Sequence, residues 1–377
     1  MTEYEYPIPP ENYAAYPEHL KSAGELFGDY LTEIAENQSA EPISIGFPLL
    51  QDTIRAVLNK GLICIGAAPS AGKTTLIMQI ANSIATNNGK KQPRNVLIFA
   101  LEMSRNELIA REISRLSYVL PKISGSAFKG EARTASELLD GATYDNGQRV
   151  LFTENQAAYI KQVQDFFKYD AGQRLYIYEG AGTVTADTIA DTARQFVKDH
   201  PDERPPVIFV DYLQLLSDTR ARADARQTAD QAAFALKQLS RELKTPVFVV
   251  SSTARNHYYE TDPEGFGKES GGIEYSADTT LFLQYKQAFE YTGSEREAQI
   301  KTAASADTRE IIISIIKNRA GQRNIAIKYE YLPKYNAFRE TSYYILPYGA
   351  ATGDEQKSTR RTKTTGSAID DYFSNRR

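Results

Sequence analysis

The stretch LICIGAAPSAGKTT, Leu62 to Thr75, constrains this chain more than any other. A buried-type apolar run gives way to a loop of small residues, then to Gly72-Lys73-Thr74 and the helical pattern TLIMQIANSIA. A strand that turns into a helix through Gly-x-x-x-x-Gly-Lys-Thr, here with Ala67 at the first position, is the form of a phosphate-binding (Walker A) loop. Gly72 lets backbone come close to a phosphate, while successive N–H groups and the helix N-terminus hold the anion. Lys73 is placed to reach the β and γ phosphates of a nucleotide, and the Thr74 hydroxyl to ligate Mg²⁺. Ala67, Ala68, Pro69, Ser70, Ala71, Gly72, Lys73, Thr74 and Thr75 are thus the candidate ATP contacts. The competing reading is a chance glycine-rich turn between a strand and a helix.

The rest of the chain decides between them. After about Ile43, short apolar runs alternate with helical patterns, the signature of a parallel α/β sheet. The runs are Leu62–Gly66, Val96–Ala100, Leu175–Tyr178, Val207–Val210 and Val247–Val250, with helices expected at about 73–87, 104–119, 185–199 and 225–243. Strands are also expected at Thr280–Leu283 and Glu310–Ile316, with a hairpin partner at Asn324–Tyr331. Residues 120–173 read as a helical insertion. The polar stretch after Tyr348 reads as a disordered tail. Ahead of the body, Leu20, Ala23, Phe27, Tyr30, Leu31 and Ile34 recur at helical spacing from Glu18 to about Asn37. That apolar stripe must be covered, by its own domain or by a neighbouring subunit. The predicted division is 1–42, 43–348 and 349–377.

Two carboxylates stand where such a sheet gathers its chemistry. PPVIFVDYLQLL ends a hydrophobic strand in Asp211, the form of a Walker B residue that orients Mg²⁺. An aspartate closing a strand is common, so the magnesium role draws on the Walker A loop upstream. Glu102 follows Val96–Ala100, and strand C-terminal ends meet at the ligand crevice of an open parallel sheet. It can polarise water as a general base. Ser104 and Glu107 alternatively form a helix capping box; the two readings use different residues and are compatible.

Composition narrows the classes. A single cysteine, Cys64, excludes a disulfide framework, and His19, His200 and His257 show no metal-ligand spacing. No apolar run approaches the roughly 18–20 residues of a membrane span, and MTEYEYPIPP has no signal-peptide form, so a cytoplasmic protein is expected. The net charge of −4 conceals an asymmetry: residues 1–41 hold nine acidic side chains against Lys21 alone, which leaves the body net basic. An anion-binding surface belongs to that body.

FALEMSRNELIARE, VIFVDYLQLL, LKQLSRELKTPVFVVSS, KESGGIEYSADTTLFL and IKNRAGQRNIAIKYEYLPKYNAF, in this order after the Walker A loop, resemble the motor domain of DnaB-type replicative helicases. The resemblance runs from about Ile43 to Phe338. It implies a RecA-like P-loop ATPase core, a central mostly parallel sheet flanked by helices, and assembly into hexameric rings on single-stranded DNA. It implies that Lys73, Thr74, Glu102 and Asp211 serve ATP hydrolysis with Mg²⁺ held by Thr74 and Asp211. Lys317 and Arg319 match the basic pair this family inserts into the adjacent subunit's ATP site; the bland reading is a solvated strand end. The 18–37 helix is similar to the family's linker helix, and the family's globular N-terminal domain is expected to be missing.

The long polar connection at 253–272 is of a length usually functional or disordered. Its Lys268, Glu269, Ser270 and Gly271 are similar to the family's central-channel DNA loop, and Arg255 matches a family arginine near its start. The family more often has arginine where Lys268 stands, and lysine loses the bidentate fork. Tyr258 and Tyr259 are candidates for stacking on bases. One departure bears on coupling: the family usually has glutamine after the serine ending the preceding strand, whereas Ser251 is followed here by Ser252. Ring ATPases that move no DNA, and loaders or adaptors that bind a partner's ring, are the alternative classes. A primase or loader is a further partner the resemblance allows. A basic run at Lys357–Lys363 offers non-specific phosphate contacts or is a solvated tail.

Overall fold

The computed structural model describes residues 21–39, 43–87, 92–124, 127–180, 183–217, 225–252, 275–319, 321–322 and 325–344. The chain divides into two units, Met1–Pro42 and Ile43–Arg377. In the first, a turn precedes helix α1, Phe27–Ser39. The Ser22 N–H donates to Glu25 Oε2 at 2.7 Å and the Glu25 N–H to Ser22 Oγ at 3.2 Å. This local exchange holds residues 23–26 in a turn, so within the described residues the helix begins at Phe27; Glu18 of the expected span lies outside them. Leu26, Phe27, Tyr30 and Leu31 are exposed.

The second unit opens with α2, Pro48–Ile54, which has no side-chain cap of its own. Its first free N–H groups, on Leu49 and Leu50, donate instead to the Glu340 carboxylate at 2.7 and 3.0 Å, from the far end of the chain. Strand β1 (Gly61–Ala67) leads into α3 (Lys73–Ala85), then β2 (Val96–Ala100) and α4 (Arg105–Ile123). The stretch expected to be a helical insertion is only partly helical. α4 runs on to Ile123, and after it come α5 (Ala135–Asp140), a hairpin of β3 (Ala142–Asp145) and β4 (Gln148–Leu151), and α6 (Glu154–Tyr169). Those four-residue strands turn at Asn146-Gly147, both at positive φ, and all of β4 is exposed, so burial leaves no alternation to read.

The core continues with β5 (Leu175–Glu179), α7 (Ala186–Asp199), β6 (Val207–Asp211), α8 (Ala225–Glu242), β7 (Pro246–Ser252) and β8 (Thr279–Tyr285). Two helices not expected from the sequence, α9 (Gln287–Glu290) and α10 (Gly293–Ala304), precede β9 (Arg309–Asn318). β10 (Ile325–Leu332) pairs antiparallel with β9 as expected, and β11 (Ala337–Tyr344) adds a strand the sequence reading did not anticipate. All nine core strands form one sheet in the order β11-β10-β9-β8-β1-β7-β6-β2-β5. From β5 to β8 neighbours are parallel; from β8 to β11 they are antiparallel.

β1, β2, β6 and β8 are buried at every position, as strands covered by helices on both faces must be. This is an α/β fold with a mostly parallel sheet flanked by helices. Among the described residues no helix is long and apolar enough to cross a membrane. The tail after Tyr348, the residues before Lys21 and the connection 253–274 lie outside the described residues.

Candidate active site

Parallel strands align their C-terminal ends, and the candidate residues collect there. β7 lies between β1 and β6, with Ala67 in register with Ser252 and Val210 with Val249. Across the next pair, Ala100 at the end of β2 registers with Asp211 at the end of β6. Glu102 therefore emerges beside Asp211, facing the loop between β1 and α3.

That loop is shaped from behind. Gly72 takes φ +93° at the N-cap of α3, and a Cβ there would stand 2.8 Å from the Phe338 ring and 3.0 Å from Tyr331. Only glycine permits both the left-handed backbone and this close packing. Tyr331 and Phe338, from β10 and β11, stack with centroids 4.4 Å apart. The strand missed in the sequence thus supplies the wall on which the phosphate-binding loop rests.

In front lies an open cavity of about 430 Å³, lined by the loop and the start of α3 together with Glu102, Arg111, Arg309 and Tyr331. Thr74 Oγ1 donates to Asp211 Oδ2 at 2.8 Å. Asp211 is buried, yet its Oδ1 has no hydrogen-bond partner. Burial raises the Asp211 carboxyl above its ordinary range; the Thr74 hydrogen bond opposes this, Glu102 adds to it, and Lys73 and Arg111 oppose it. A buried carboxylate oxygen without a donor, next to a threonine hydroxyl, fits a Mg²⁺ ion. No group of three or more His, Cys, Asp or Glu side chains among the described residues is placed to hold a metal unaided. Mg²⁺ usually completes its shell with water and substrate phosphates. The Asp211–Tyr212 peptide bond is cis.

Ser104 and Glu107 do form a capping box, which lowers the Glu107 carboxyl through the Ser104 N–H it accepts. Glu102 stays out of it and reaches the cavity. Four cavity residues, Met103, Arg111, Arg309 and Tyr331, were not read as site residues from the sequence. Arg111 carried a signal, as a cation less than two turns into a helix that starts at the ligand edge. Arg309 and Tyr331 carried none, because only the antiparallel return of β9 and β10 brings them to this end.

Lys317 and Arg319 lie elsewhere. β9 runs antiparallel to β8, with Asn318 paired to Thr279 at the start of β8, while the other end of β8 meets the loop through Ala68 N–H donating to Leu283 O at 2.9 Å. β8 is 7 residues long, so roughly 20 Å separates the pair from the loop of its own chain. Arg319 donates to Tyr275 O at 2.8 Å and lies 3.6 Å from Asp278 Oδ1, and about half of its side chain is exposed. Ser252 ends β7 beside Ala67. Arg255, Lys268, Glu269, Ser270 and Gly271 lie outside the described residues.

Residues 42–340 match the model of the DnaB-like helicase C-terminal domain. The chain is 28% identical over 270 residues to the replicative DNA helicase DnaB of Helicobacter pylori, covering 70% of this chain and 48% of that protein. It is 27% identical over 325 residues to DnaB of Geobacillus stearothermophilus, covering 84% of this chain and 62% of the relative. The chain thus spans about half to three-fifths of the length of these relatives. Among solved structures it resembles one described as an ATPase domain, with a TM-score of 0.64 at 20% identity over 84% of this chain and 99% of that one. It also resembles a DnaB-like replicative helicase described with its interactions with primase, with a TM-score of 0.62 at 20% identity over 87% of this chain and 70% of the other.

Proposed function

Because the chain belongs to the DnaB-like helicase C-terminal domain family, we propose that it is an ATP-driven motor of DNA replication. It assembles into a ring, hexameric by the family's habit, and translocates on single-stranded DNA in a bacterium, phage or mobile element. One observation supports this reading: the candidate nucleotide residues and the basic pair lie at opposite ends of the parallel strands, here called the two edges. The loop, Thr74, Asp211 and Glu102 occupy one edge with neither Lys317 nor Arg319 in reach, and that basic pair occupies the other. Two copies side by side complete what one copy lacks.

In this site Lys73 and the N–H groups of Ser70 and of Gly72 to Thr75 bind the phosphates. Thr74 and Asp211 would hold Mg²⁺, which would supply neutralising charge for the phosphates. Glu102 orients a water and accepts its proton as the water oxygen bonds to the terminal phosphorus, while the bond from that phosphorus to the bridging oxygen breaks and the nucleoside diphosphate leaves. Arg319 and Lys317 of the adjacent copy stabilise negative charge developing on the transferred group. Arg111 adds a cation from α4. The connection holding Arg255 and Lys268–Gly271 binds the DNA backbone, and a primase or loader is the further partner suggested by analogy with the relatives.

The decisive experiment measures ATPase turnover with and without single-stranded DNA, and mass on the same sample. A ring whose turnover rises with DNA is expected. Ser252, where the family usually has glutamine, favours a second reading: a ring ATPase with a scaffold or regulatory role. Turnover in a ring that ignores DNA would select it, and a monomer under ATP and Mg²⁺ would overturn the shared site.

A further inference from the structure

The tip of the phosphate-binding loop is strained and is held from outside. Ser70 has φ +57°, a left-handed conformation unfavourable for a non-glycine residue. Such a residue persists where its surroundings over-determine it. The surroundings here are two side chains from the antiparallel turn of the sheet. The Tyr285 hydroxyl, on a fully buried ring at the end of β8, donates to Pro69 O at 3.2 Å. Arg309, the first residue of β9, donates through Nη1 to Ser70 O at 2.7 Å. The two are themselves joined, since the Arg309 guanidinium also lies against the Tyr285 hydroxyl. Arg309 sits over Tyr331, 5.8 Å from its ring centroid, on the wall that supports Gly72.

The consequence follows from the planarity of the peptide group. In a trans peptide the C=O and the following N–H point in opposite directions. Fixing Pro69 O against β8 turns the Ser70 N–H away from the strand, toward the cavity that Ser70 lines. Ala71 N–H is engaged by Ala68 O at 3.2 Å, so the Ser70 amide is the tip donor that the arrangement leaves for a ligand. We propose that Tyr285 and Arg309 form a clamp that positions the loop tip so that the Ser70 N–H meets the outer phosphates of a nucleoside di- or triphosphate. Both act as positioning residues through loop carbonyls, Arg309 from the cavity wall and Tyr285 from behind it. The clamp rests on the nucleotide-binding reading given above.

The test is calorimetric binding of Mg·ADP and of AMP to the full chain, wild type, Tyr285→Phe and Arg309→Met, with thermal melting of each protein without nucleotide. Tyr285→Phe keeps the buried ring and removes only the hydroxyl. Each variant is expected to weaken ADP binding about 3- to 10-fold, the worth of one hydrogen bond, and to leave AMP within about twofold. The double variant should lose less than the product of the two, because both act on one loop tip. Unchanged ADP affinity in both variants overturns the clamp, as does an equal loss for ADP and AMP, or a large fall in melting temperature with binding intact. Wild-type protein that binds no Mg·ADP overturns the nucleotide reading and the clamp together. Binding by wild type with unaffected variants overturns the clamp alone.

Discussion

The two edges of the sheet are built to opposite specifications. At the C-terminal ends of β1, β2 and β6, polar groups are left open: Asp211 Oδ1 is buried without a donor, its carboxyl is raised by burial, and Ser70 holds a strained backbone. At the other edge most of the buried polar groups are engaged, although Thr280 Oγ1 is buried without a partner. Asp278 accepts from the Leu62 N–H at 2.8 Å, pairs with buried Lys237 and takes Arg319 on its second oxygen. Gly61 N–H donates to Ser240 Oγ, and the Ser240 hydroxyl to Thr245 O. The first edge is incomplete until a ligand arrives. The second is largely satisfied within the chain and ties Arg319 to Tyr275 O and Asp278.

Breaking the finished edge should have the largest effects. Arg319→Ala is expected to lower ATP turnover by about 10³-fold or more, the low end of what a trans cation contributes, while nucleotide affinity stays within a few-fold. Steady-state hydrolysis and ADP titration check this. Mixing Arg319→Ala with Glu102→Ala chains should restore turnover, since some shared sites would then be intact. Asp278→Ala removes the partner of a buried lysine, which costs roughly 3–5 kcal/mol, read as a fall in the denaturant midpoint. An unchanged midpoint would mean that this edge is no more braced than the other.

What the sequence revealed follows the same division. The strand–loop–helix at Leu62–Thr75, the strand ending in Asp211 and the strand before Glu102 were legible because their chemistry is local: each residue and the element that positions it are neighbours in sequence. The basic pair was legible only through family resemblance, since nothing near Lys317 distinguishes a finger from a strand end. The wall behind Gly72 was not legible. Tyr331 and Phe338 show strand character, but their contact with the loop depends on two antiparallel returns that no local pattern encodes. Arg309 and Tyr285 were hidden for the same reason. Helices α9 and α10 come between β8 and β9 in a stretch of weak amphipathicity, with few buried residues.

The open edge offers effects of smaller size and opposite sign. Asp211→Asn should abolish turnover yet raise the melting temperature of the nucleotide-free protein by about 1–2 °C, a fraction of a kcal/mol in a chain this long. The gain comes from removing a charge that burial opposes. Its sign with pH is fixed by the direction of the shift. A carboxyl raised in the folded state adds stability below its ordinary value of 3.8 and loses it as pH rises through the folded value. The advantage of Asp211→Asn over wild type should therefore be small in acid and grow toward neutrality. Melting curves across that range would refute the assignment if the difference were flat or reversed.

The smallest effect probes the same carboxyl through its ligand. Mg²⁺ with nucleotide favours the ionised form of Asp211, so binding must pull its proton affinity down and release whatever fraction of a proton it still holds. Release should be largest below the raised value of the free protein, shrink as pH rises past it, and stay below one proton per site. Titrating Mg·ADP in two buffers of different protonation enthalpy measures it directly. Asp211→Asn should remove the signal, whereas Glu102→Gln should reduce it little, because Glu102 is exposed and lies outside the Thr74–Asp211 contact. Proton release that persists in Asp211→Asn would move the titrating group elsewhere and erase the contrast between an edge left open for a cation and an edge already closed.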